Sequence, residues 1–382
     1  NSGMETKLLN GNNKEAIAEA SKILQDGGLV AFPTETVYGL GADALNADAA
    51  AKIYAAKGRP SDNPLIVHIA DTDAVEKLAD LETMNRTHPD MVKKAHMLME
   101  AFWPGPLTII FPKLAIVPDG TTGGLPTVAI RMPSHPIAQE LIRTSGVSIA
   151  APSANTSGRP SPTTAQHVWE DMDGRIEMIL DGGAVGIGIE STIVDMTGTI
   201  PTILRPGFIT KTMLSEIVGD VTIDPAIIEP DPNLRPKAPG MKYTHYAPHG
   251  TLSIVEAVAD ESANRASLHS GVKVSYNATE AETLRVAEKI KALVNEKEAQ
   301  GYKVAILTTK EHASLYKNYS HVLIVGEGSK GQTISARLYA ALRECDSEQM
   351  EYMYSEAFDQ NELGGAIMNR LLKAAGHRVI TV

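Results

Sequence analysis

Several short segments of the sequence place hydroxyl, amide and cationic side chains directly after hydrophobic runs. In an open α/β sheet such residues lie beyond the strand ends, where ligands bind. Guanidinium and ammonium groups bind phosphate and carboxylate oxygens, and the backbone N–H groups of glycine-rich turns do the same. Together the segments predict a site for a small anionic ligand that carries phosphates. They are 32–41 (FPTETVYGLG), 57–64 (KGRPSDNP), 127–133 (TVAIRMP), 149–162 (IAAPSANTSGRPSP), 181–192 (DGGAVGIGIEST) and 205–207 (RPG).

The segment KGRPSDNP follows an alanine-rich helix that is ended by glycine and proline. Lys57 lies in the last turn of that helix, where a cation could serve only to complement the helix dipole. Arg59 and Asn63 come after the last turn, so this explanation does not cover them. Donors of this kind suit a polyphosphate, with arginine as a bidentate fork and lysine as a point charge.

Three features keep two interpretations each. The segment 32–41 is either a ligand-binding loop or a polar turn that needs its glycines for geometry. Arg131 ends a buried strand, where an unpaired guanidinium is costly, so it must meet an anion. That anion is either a carboxylate of the protein or one of the substrate. His68 lies inside an apolar strand, where histidine is more often structural than functional.

A glycine pattern late in the chain imitates a dinucleotide-binding motif. The sequence GEGSKG at 326–331 follows a predicted strand and precedes a predicted helix, and Asp346 lies further on. However, the motif comes late in its domain, and Asp346 ends a helix, whereas the ribose-binding acid of such folds ends the second strand. The interpretation of the chain as a nicotinamide-dependent oxidoreductase rests on this motif alone, and the positions of the motif and of Asp346 argue against it.

The polar segments need a framework of strands and helices. Over the first 218 residues, β-branched runs alternate with helix-period segments, which predicts a mixed α/β domain with a broad twisted sheet that includes antiparallel pieces. Strands are expected at 29–32, 65–69, 108–111, 127–131, 147–151, 178–180, 192–195 and 202–204. Helices are expected at 14–25, 47–57, 75–81, 91–102, 136–144, 164–170 and 211–218.

The character of the chain changes at about residue 219. Prolines punctuate 219–250, and because proline fixes φ and removes a donor, this stretch predicts an extended linker. Its segment GMKYTHY at 240–246 holds more aromatic and cationic side chains than a spacer needs. After it, strands at 252–255, 303–308, 321–325 and 378–382 and helices at 280–299, 311–317, 333–343 and 362–375 predict a small open parallel sheet covered by helices.

Composition excludes several classes of protein. The 382 residues carry 35 Lys and Arg against 46 Asp and Glu, and this charge of −11 argues against tight nonspecific nucleic-acid binding. The length predicts two domains. The single cysteine, Cys345, excludes a disulfide framework and a multi-cysteine metal site, and it fits a cytoplasmic protein. No apolar run approaches the roughly 20 residues that span a bilayer, so no membrane contact is expected.

Taken together, the motifs resemble one enzyme family. PTETVYGLG, KGRPSDNPLIVH, TVAIRMP, APSANTSGRPSPT, IESTIVD and ILRPG resemble the L-threonylcarbamoyladenylate synthases, whose KxR and SxN signatures match Lys57/Arg59 and Ser153/Asn155. LYAALRECD and GGAIMNRLLKAA look like the extra domain of the longer, two-domain members. The resemblance implies a YrdC-like catalytic domain at 4–218, a proline-rich linker at 219–250 expected to fold over the site as a lid, and a smaller Rossmann-like domain at 251–382.

The resemblance also implies a reaction. Such enzymes make threonylcarbamoyl-AMP and pyrophosphate from L-threonine, bicarbonate or CO2, and ATP, as the first step of a tRNA modification next to the anticodon. Other proteins then transfer the threonylcarbamoyl group, so these transfer proteins are the expected partners, with tRNA itself contacted only weakly. Magnesium is expected to enter with ATP, held by phosphates and water, because the sequence contains no metal cage. The alternative is an RNA-binding module with a nucleotide-binding cleft, but there is no basic stripe with interleaved aromatic residues.

Site residues follow from the same resemblance. Catalysis is assigned to Lys57 and Arg59. Threonine is placed near Thr36, His68, Arg131, Ala151 and Ser191. ATP is placed near Arg59, Asn63, Thr127, Ser153, Asn155, Ser161, Arg205, Tyr243, His245 and Tyr246.

Overall fold

The computed structural model describes residues 3–60, 63–227, 245–258, 278–358 and 362–382. These residues form two compact units. Of the described residues, the first unit holds those up to Ser157 and Ser161–Ala226, and the second holds Gly158–Pro160, residue 227 and the residues from 245 onward. The middle of the predicted linker, which includes Tyr243 and most of the expected lid, lies outside the described residues.

The first unit is built from alternating strands and helices. Its strands are β1 (Lys7–Asn10), β2 (Val30–Pro33), β3 (Tyr38–Asp43), β4 (Ile66–His68), β5 (Leu107–Pro112), β6 (Thr127–Arg131), β7 (Ile149–Ala151), β8 (Met178–Asp181), β9 (Thr192–Asp195), β10 (Thr202–Arg205) and β11 (Thr222–Ile223). Its helices are α1 (Lys14–Gln25), α2 (Ala47–Lys57), α3 (Leu81–Thr87), α4 (Pro89–Phe102), α5 (Asp119–Thr122), α6 (Pro136–Ser145), α7 (Ala165–Met172) and α8 (Lys211–Val218).

These strands form one 11-stranded sheet in the order β1-β8-β2-β3-β7-β4-β6-β5-β9-β10-β11. Parallel and antiparallel pairs alternate irregularly along it, as in the parallel pair β4/β6 beside the antiparallel pair β4/β7. The predicted fold class of the first domain, a broad mixed sheet with helices, is confirmed. Part of its core lies where α1 and α6 cover apolar residues of β2, β7 and β8.

Local signals explain why the helix next to the polar loops begins and ends where it does. The side chain of Asn46 accepts the Ala49 N–H at 3.1 Å and so satisfies a donor in the first turn of α2. Gly58 ends the helix in the left-handed conformation, with φ 69°, where a β-carbon would be strained. The helix therefore ends at Lys57, and Arg59 lies in the loop that follows.

Strand β3 was not expected, because its sequence, YGLGAD, was interpreted as a polar loop. It pairs antiparallel with β2 and is buried along most of its length. A β-carbon on Gly41 would lie 2.7 Å from Ile149 Cγ2, so glycine is required by the close approach of β7. The glycines of this segment predicted a loop, but Gly41 instead allows β3 to pack closely against β7.

The helix expected at 75–81 is wrong. The chain instead forms a 3-10 turn over Thr72–Lys77 and then starts α3 at Leu81. Two aspartates cause the division: Asp71 caps the first turn, and the Asp80 side chain accepts the Thr83 N–H at 3.1 Å to begin the second. The strands β1 and β11 and the short helix α5 were also missed, and β11 and a 3-10 turn at Pro225–Ile227 occupy the start of the predicted linker.

The second unit contains a five-stranded sheet. Its strands are β12 (Thr251–Glu256), β13 (Val304–Thr309), β14 (Val322–Gly326), β15 (Tyr352–Glu356) and β16 (Val379–Thr381). Its helices are α9 (Glu280–Ala299), α10 (Gly331–Ser347) and α11 (Glu362–Ala374). The strand order is β14-β13-β15-β12-β16 and the four pairs of neighbouring strands are parallel, which confirms the predicted open parallel sheet.

Two expectations for this unit need correction. The central strand β15 was missed, although its sequence, YMYSE, has the aromatic content of a strand. The helix expected at 311–317 is only a 3-10 turn at Ala313–Tyr316. Within the described parts of both units, no helix is long and apolar enough to cross a membrane.

Candidate active site

Strand register and one hydrogen bond bring together three of the predicted threonine-binding residues, namely His68, Arg131 and Thr36. His68 at the end of β4 pairs with Arg131 at the end of β6, and β7 pairs with β4 so that Ala151 lies opposite Ile66. Thr36 lies in the buried turn between β2 and β3, where its hydroxyl accepts from Arg131 Nη1 at 3.0 Å. Residues far apart in the sequence therefore meet around one guanidinium.

Arg131 is almost fully buried and is held on three sides. Its Nε donates to the Gly105 carbonyl oxygen at 3.3 Å, Nη1 donates to Thr36, and Nη2 forms an ion pair with Glu35. The sequence left open whether Arg131 meets a carboxylate of the protein or of a substrate, and the structure shows a protein carboxylate on Nη2. Burial alone would raise the pKa of the Glu35 carboxyl, but Arg131 and the Ser134 donors hold that pKa below its usual value.

His68 has a fixed tautomer. Its Nδ1 lies 2.9 Å from the Ile66 carbonyl oxygen and 3.2 Å from that of Ile149, and because carbonyl oxygens only accept, Nδ1 carries the proton. The ring packs edge-on against Phe32. Burial, with a smaller effect of the nearby Arg131 charge, lowers the pKa of His68 to about 3, so the ring is neutral at physiological pH and Nε2 is an acceptor.

Ser191 connects the predicted threonine and ATP residues. Its hydroxyl lies 2.8 Å from that of Thr108 and accepts from Arg205 Nη2 at 3.1 Å. Arg205 Nε also donates to the Ser191 carbonyl oxygen at 2.9 Å. All three residues are buried. Since Thr108 on β5 pairs in register with Arg131 on β6, these contacts link the two arginines through adjacent strands.

The loop after β7 is tied to the end of α2. Lys57 is buried, and its ammonium donates to the backbone carbonyl oxygens of Ser153 and Asn155. In return, the Ser157 N–H donates to the Lys57 carbonyl oxygen at 2.9 Å. The KxR and SxN signatures are thus one connected structure.

The remaining predicted ATP residues occupy several places. Arg59 lies with its guanidinium carbon 5.5 Å from the centre of the Tyr54 ring, and the hydroxyl of Tyr54 donates to the Asn63 carbonyl oxygen. Ser161 donates to the buried carboxylate of Glu190. Thr127 begins β6, whereas Arg131 ends it, so the backbone of this strand separates them by about 13 Å at 3.3 Å per residue. The structure therefore does not bring Thr127 to the threonine residues.

His245 and Tyr246 belong to the second unit. Their rings stack with centroids 4.1 Å apart, and the Tyr246 ring lies 5.4 Å from that of Tyr339. Tyr246 is buried and has a φ of 60°, an uncommon conformation for a residue with a side chain.

The glycine motif GEGSKG lies after β14, as expected, but an acid occupies its backbone donors. The Glu311 carboxylate accepts the Gly328 N–H at 2.9 Å and the Ser329 N–H at 3.1 Å. Asp346 forms an ion pair with Arg159 at 2.8 Å. In this structure the motif's N–H groups bind a side chain where a dinucleotide would place phosphate.

Sequence reasoning missed three residues that contact the predicted site residues: Glu35, Thr108 and Glu190. Glu35 could have been found, because Arg131 required an anion and Glu35 is an acid within a polar loop. Thr108 is a hydroxyl inside an apolar strand, and Glu190 is an acid between isoleucine and serine. Nothing in the sequence around either residue indicates which residue it contacts. Among the described residues, no group of three or more His, Cys, Asp or Glu side chains is arranged to hold a metal ion.

Comparisons with known proteins give a consistent result. A family model described as "Telomere recombination" matches residues 22–207, and one described as "Threonylcarbamoyl-AMP synthase, C-terminal domain" matches residues 209–376. The chain is 46% identical to the threonylcarbamoyl-AMP synthase of Bacillus subtilis over 96% of this chain and 95% of the relative. It is 41% identical to that of Pyrococcus abyssi over 95% of each. The solved structure of P. abyssi Sua5 complexed with L-threonine matches with a TM-score of 0.83 at 40% identity, over 99% of each chain.

Proposed function

Because this chain belongs to the threonylcarbamoyl-AMP synthase family, we propose that it synthesises L-threonylcarbamoyladenylate from L-threonine, bicarbonate or CO2, and ATP. One observation of the site carries the proposal. Arg131 on β6 and Arg205 on β10 are both buried, and Thr108 on the intervening strand β5 and Ser191 before β9 lie between them. Two buried guanidinium groups connected in this way suit a product that contains both a carboxylate and a phosphate.

The amino acid occupies the region around Arg131. Its carboxylate binds the guanidinium, and the acceptor nitrogen of His68 receives a hydrogen bond from its hydroxyl or amine. A valine cannot make the hydroxyl contact and would strand a buried polar group, which favours threonine. This proposal agrees with the L-threonine complex of the P. abyssi relative.

The reaction balances with the groups that the substrates supply. The threonine amine adds to CO2, with loss of a proton, and forms a carbamate. A carbamate oxygen then bonds to the α-phosphorus of ATP, the bond from that phosphorus to the bridging oxygen breaks, and pyrophosphate leaves. Charge builds on phosphate oxygens during this step, so Arg59, Arg205 and the ammonium of Lys57 stabilise it electrostatically.

ATP enters as its magnesium complex, with the metal held by phosphate oxygens and water. Mg²⁺ keeps several water ligands and binds nucleotide phosphates readily, so it needs few ligands from the protein. The product is a reactive mixed anhydride, and transfer proteins pass its threonylcarbamoyl group to the tRNA adenosine next to the anticodon.

Pyrophosphate release tests the proposal when ATP, magnesium, L-threonine and bicarbonate are omitted one at a time. We expect release only when threonine and bicarbonate are both present, and we expect the adenylate in the mass spectrum. Release without threonine, or no release, would overturn the proposal. In that case a salt-dependent shift of tRNA in a gel would support an RNA-binding module instead.

A further inference from the structure

Glu35 is a buried acid in the turn between β2 and β3, with only 14% of its side chain exposed. One carboxylate oxygen accepts from Arg131 Nη2. The other accepts both the backbone N–H of Ser134, at 2.9 Å, and its hydroxyl, at 2.7 Å. The carboxylate therefore joins the turn that carries Thr36 to the segment that follows Arg131.

The contacts of Arg131 within the protein leave some of its N–H donors for a ligand. The guanidinium of Arg131 has five N–H bonds. Among the described residues, one donates to Gly105, one to Thr36 and one to Glu35. One N–H on Nη1 and one on Nη2 have no acceptor within the part of the chain that the structure describes. A pair of donors on the two terminal nitrogens is what a carboxylate needs for bidentate binding.

We propose that Glu35 is the positioning residue for threonine: it stays paired with Arg131 and orients the guanidinium so that the two remaining N–H donors bind the substrate carboxylate. This inference rests on the proposed function. Without Glu35, a buried guanidinium would lack its counter-ion, and its plane would be set only by two neutral acceptors. The substrate would then have to order the guanidinium at the expense of binding free energy.

An amide cannot replace the Glu35 carboxylate. Its two oxygens face donors that cannot accept, namely Arg131 Nη2 on one side and the Ser134 N–H on the other. Glutamine has one oxygen and one NH2 group, so in either orientation its NH2 group would face another donor. The Ser134 hydroxyl could turn to accept from the NH2 group, but the Ser134 N–H and Arg131 Nη2 could not. Glu35→Gln therefore keeps the size of the side chain and loses at least one of the contacts that join Arg131 to Ser134.

The test measures equilibrium binding of L-threonine and of ATP to the full chain, together with threonine-dependent pyrophosphate release. In Glu35→Gln we expect threonine affinity to fall about 10- to 100-fold, the range for hydrogen bonds to a charged group, and ATP affinity to change less than about twofold. Ser134→Ala removes one hydroxyl donor at an exposed position and should cause a smaller loss of threonine affinity. That variant keeps the test available if Glu35→Gln fails to fold.

Two further variants exclude a general effect on the fold. Glu177→Gln alters a half-buried acid of the same unit that accepts the Leu29 N–H at 3.1 Å, and it should leave both affinities unchanged. In Arg131→Lys, which lacks the fork, adding Glu35→Gln should cause little further loss of threonine affinity, because the two residues act as a pair.

The outcomes separate this inference from the proposed function. Tighter threonine binding in Glu35→Gln would show that Glu35 competes with the substrate, and equal losses for threonine and ATP would show only a structural role; either result overturns the inference. A wild-type protein that neither binds threonine nor releases pyrophosphate would overturn the proposed function itself.

Discussion

The ammonium of Lys57 donates a hydrogen bond of 2.6 Å to the backbone carbonyl oxygen of Asn155. The same ammonium donates to the Ser153 carbonyl oxygen, so one side chain at the end of α2 holds two carbonyl oxygens of the loop after β7. Buried carbonyl oxygens need hydrogen-bond donors, and a charged donor binds them more strongly than a neutral one. Lys57 therefore sets the conformation of the loop that carries the SxN signature, besides any contact with ATP.

Lys57→Met keeps the apolar stem and removes the ammonium. We expect the turnover number for pyrophosphate release to fall by roughly 100-fold, because the loop and its donors lose their alignment with the phosphates. Unfolding in urea should show a loss of about 1–3 kcal/mol, because two buried carbonyl oxygens lose their donor. An unchanged turnover number in folded protein would remove Lys57 from the mechanism.

The chain offers a matched control on the same helix. Lys52 donates to the Gly27 carbonyl oxygen at 2.9 Å, and within the described residues its ammonium has no hydrogen bond to the loop after β7. Lys52→Met removes the same charge and one carbonyl contact, at a more exposed position. Its turnover number should stay within about twofold of the wild type.

Thr108 offers a second test, of the link between the two arginines. Thr108→Val removes the hydroxyl that lies 2.8 Å from Ser191 Oγ and preserves the shape of the side chain. We expect kcat/KM to fall about 5- to 10-fold, which corresponds to one buried neutral hydrogen bond of about 1–1.5 kcal/mol. Thr108→Ser retains the hydroxyl and should recover most of the activity. A Thr108→Val enzyme with wild-type kinetics would show that Ser191 needs no support from β5.

The site illustrates how far sequence reasoning reaches. Arg131 at the end of a buried strand required an anion, and Glu35 provides one, but no pattern indicates which acid lies across the sheet. That pairing depends on the order of strands, because β6 contacts β4 and β5 while the turn after β2 approaches from elsewhere. Spacing along the chain does not contain this information. Likewise, Lys57 was interpreted from its helix position, whereas its partners lie almost 100 residues away.

Element boundaries were predicted best where a cap marks them. α1, α2, α8 and α9 begin and end as expected, and each starts at an Asn or Thr whose side chain accepts from the first turn. The strands β1, β3 and β15 were missed because glycine, charge or short length hides their alternation. Their positions are set by pairing with neighbours, which is a tertiary effect.

The buried ring of His68 makes stability depend on pH. Its pKa is about 3 in the folded protein and about 6.5 when unfolded, so between these values the unfolded state binds a proton that the folded state does not. The contribution of neutral His68 to the free energy of unfolding is therefore fully present above about pH 6.5 and is lost as the pH falls towards 3. At pH 5 this residue alone should cost about 2 kcal/mol relative to neutral pH.

His68→Asn should remove most of this acid-dependent loss, since the amide has no proton to gain. Urea unfolding at neutral pH and at pH 5 measures it as the difference between the two free energies of unfolding. The variant's own baseline stability does not affect that difference. If the variant loses as much stability as the wild type between the two pH values, another group is responsible.

Glu356 organises the second unit and gives a test that is independent of the active site. Its buried carboxylate accepts from Thr308 Oγ1 at 2.8 Å, from the Tyr316 hydroxyl at 2.7 Å, and from His312 Nδ1 at 2.7 Å. Glu356→Gln keeps the volume but presents an NH2 group to donors, so we expect the free energy of unfolding of the second unit to fall by about 1–3 kcal/mol. Glu351→Gln, at an exposed position, should change it by less than about 0.5 kcal/mol.

The pH dependence of the stability loss in Glu356→Gln tests whether His312 contributes to it. The hydrogen bond to Glu356 raises the pKa of His312, against the lowering effect of burial. A group whose pKa is raised on folding stabilises the protein fully below its unfolded value of about 6.5 and loses that contribution as the pH rises through the folded value. The difference between wild type and Glu356→Gln should therefore be larger near pH 6 than near pH 9. An equal difference at both values would show that Thr308 and Tyr316 alone account for the effect of the carboxylate.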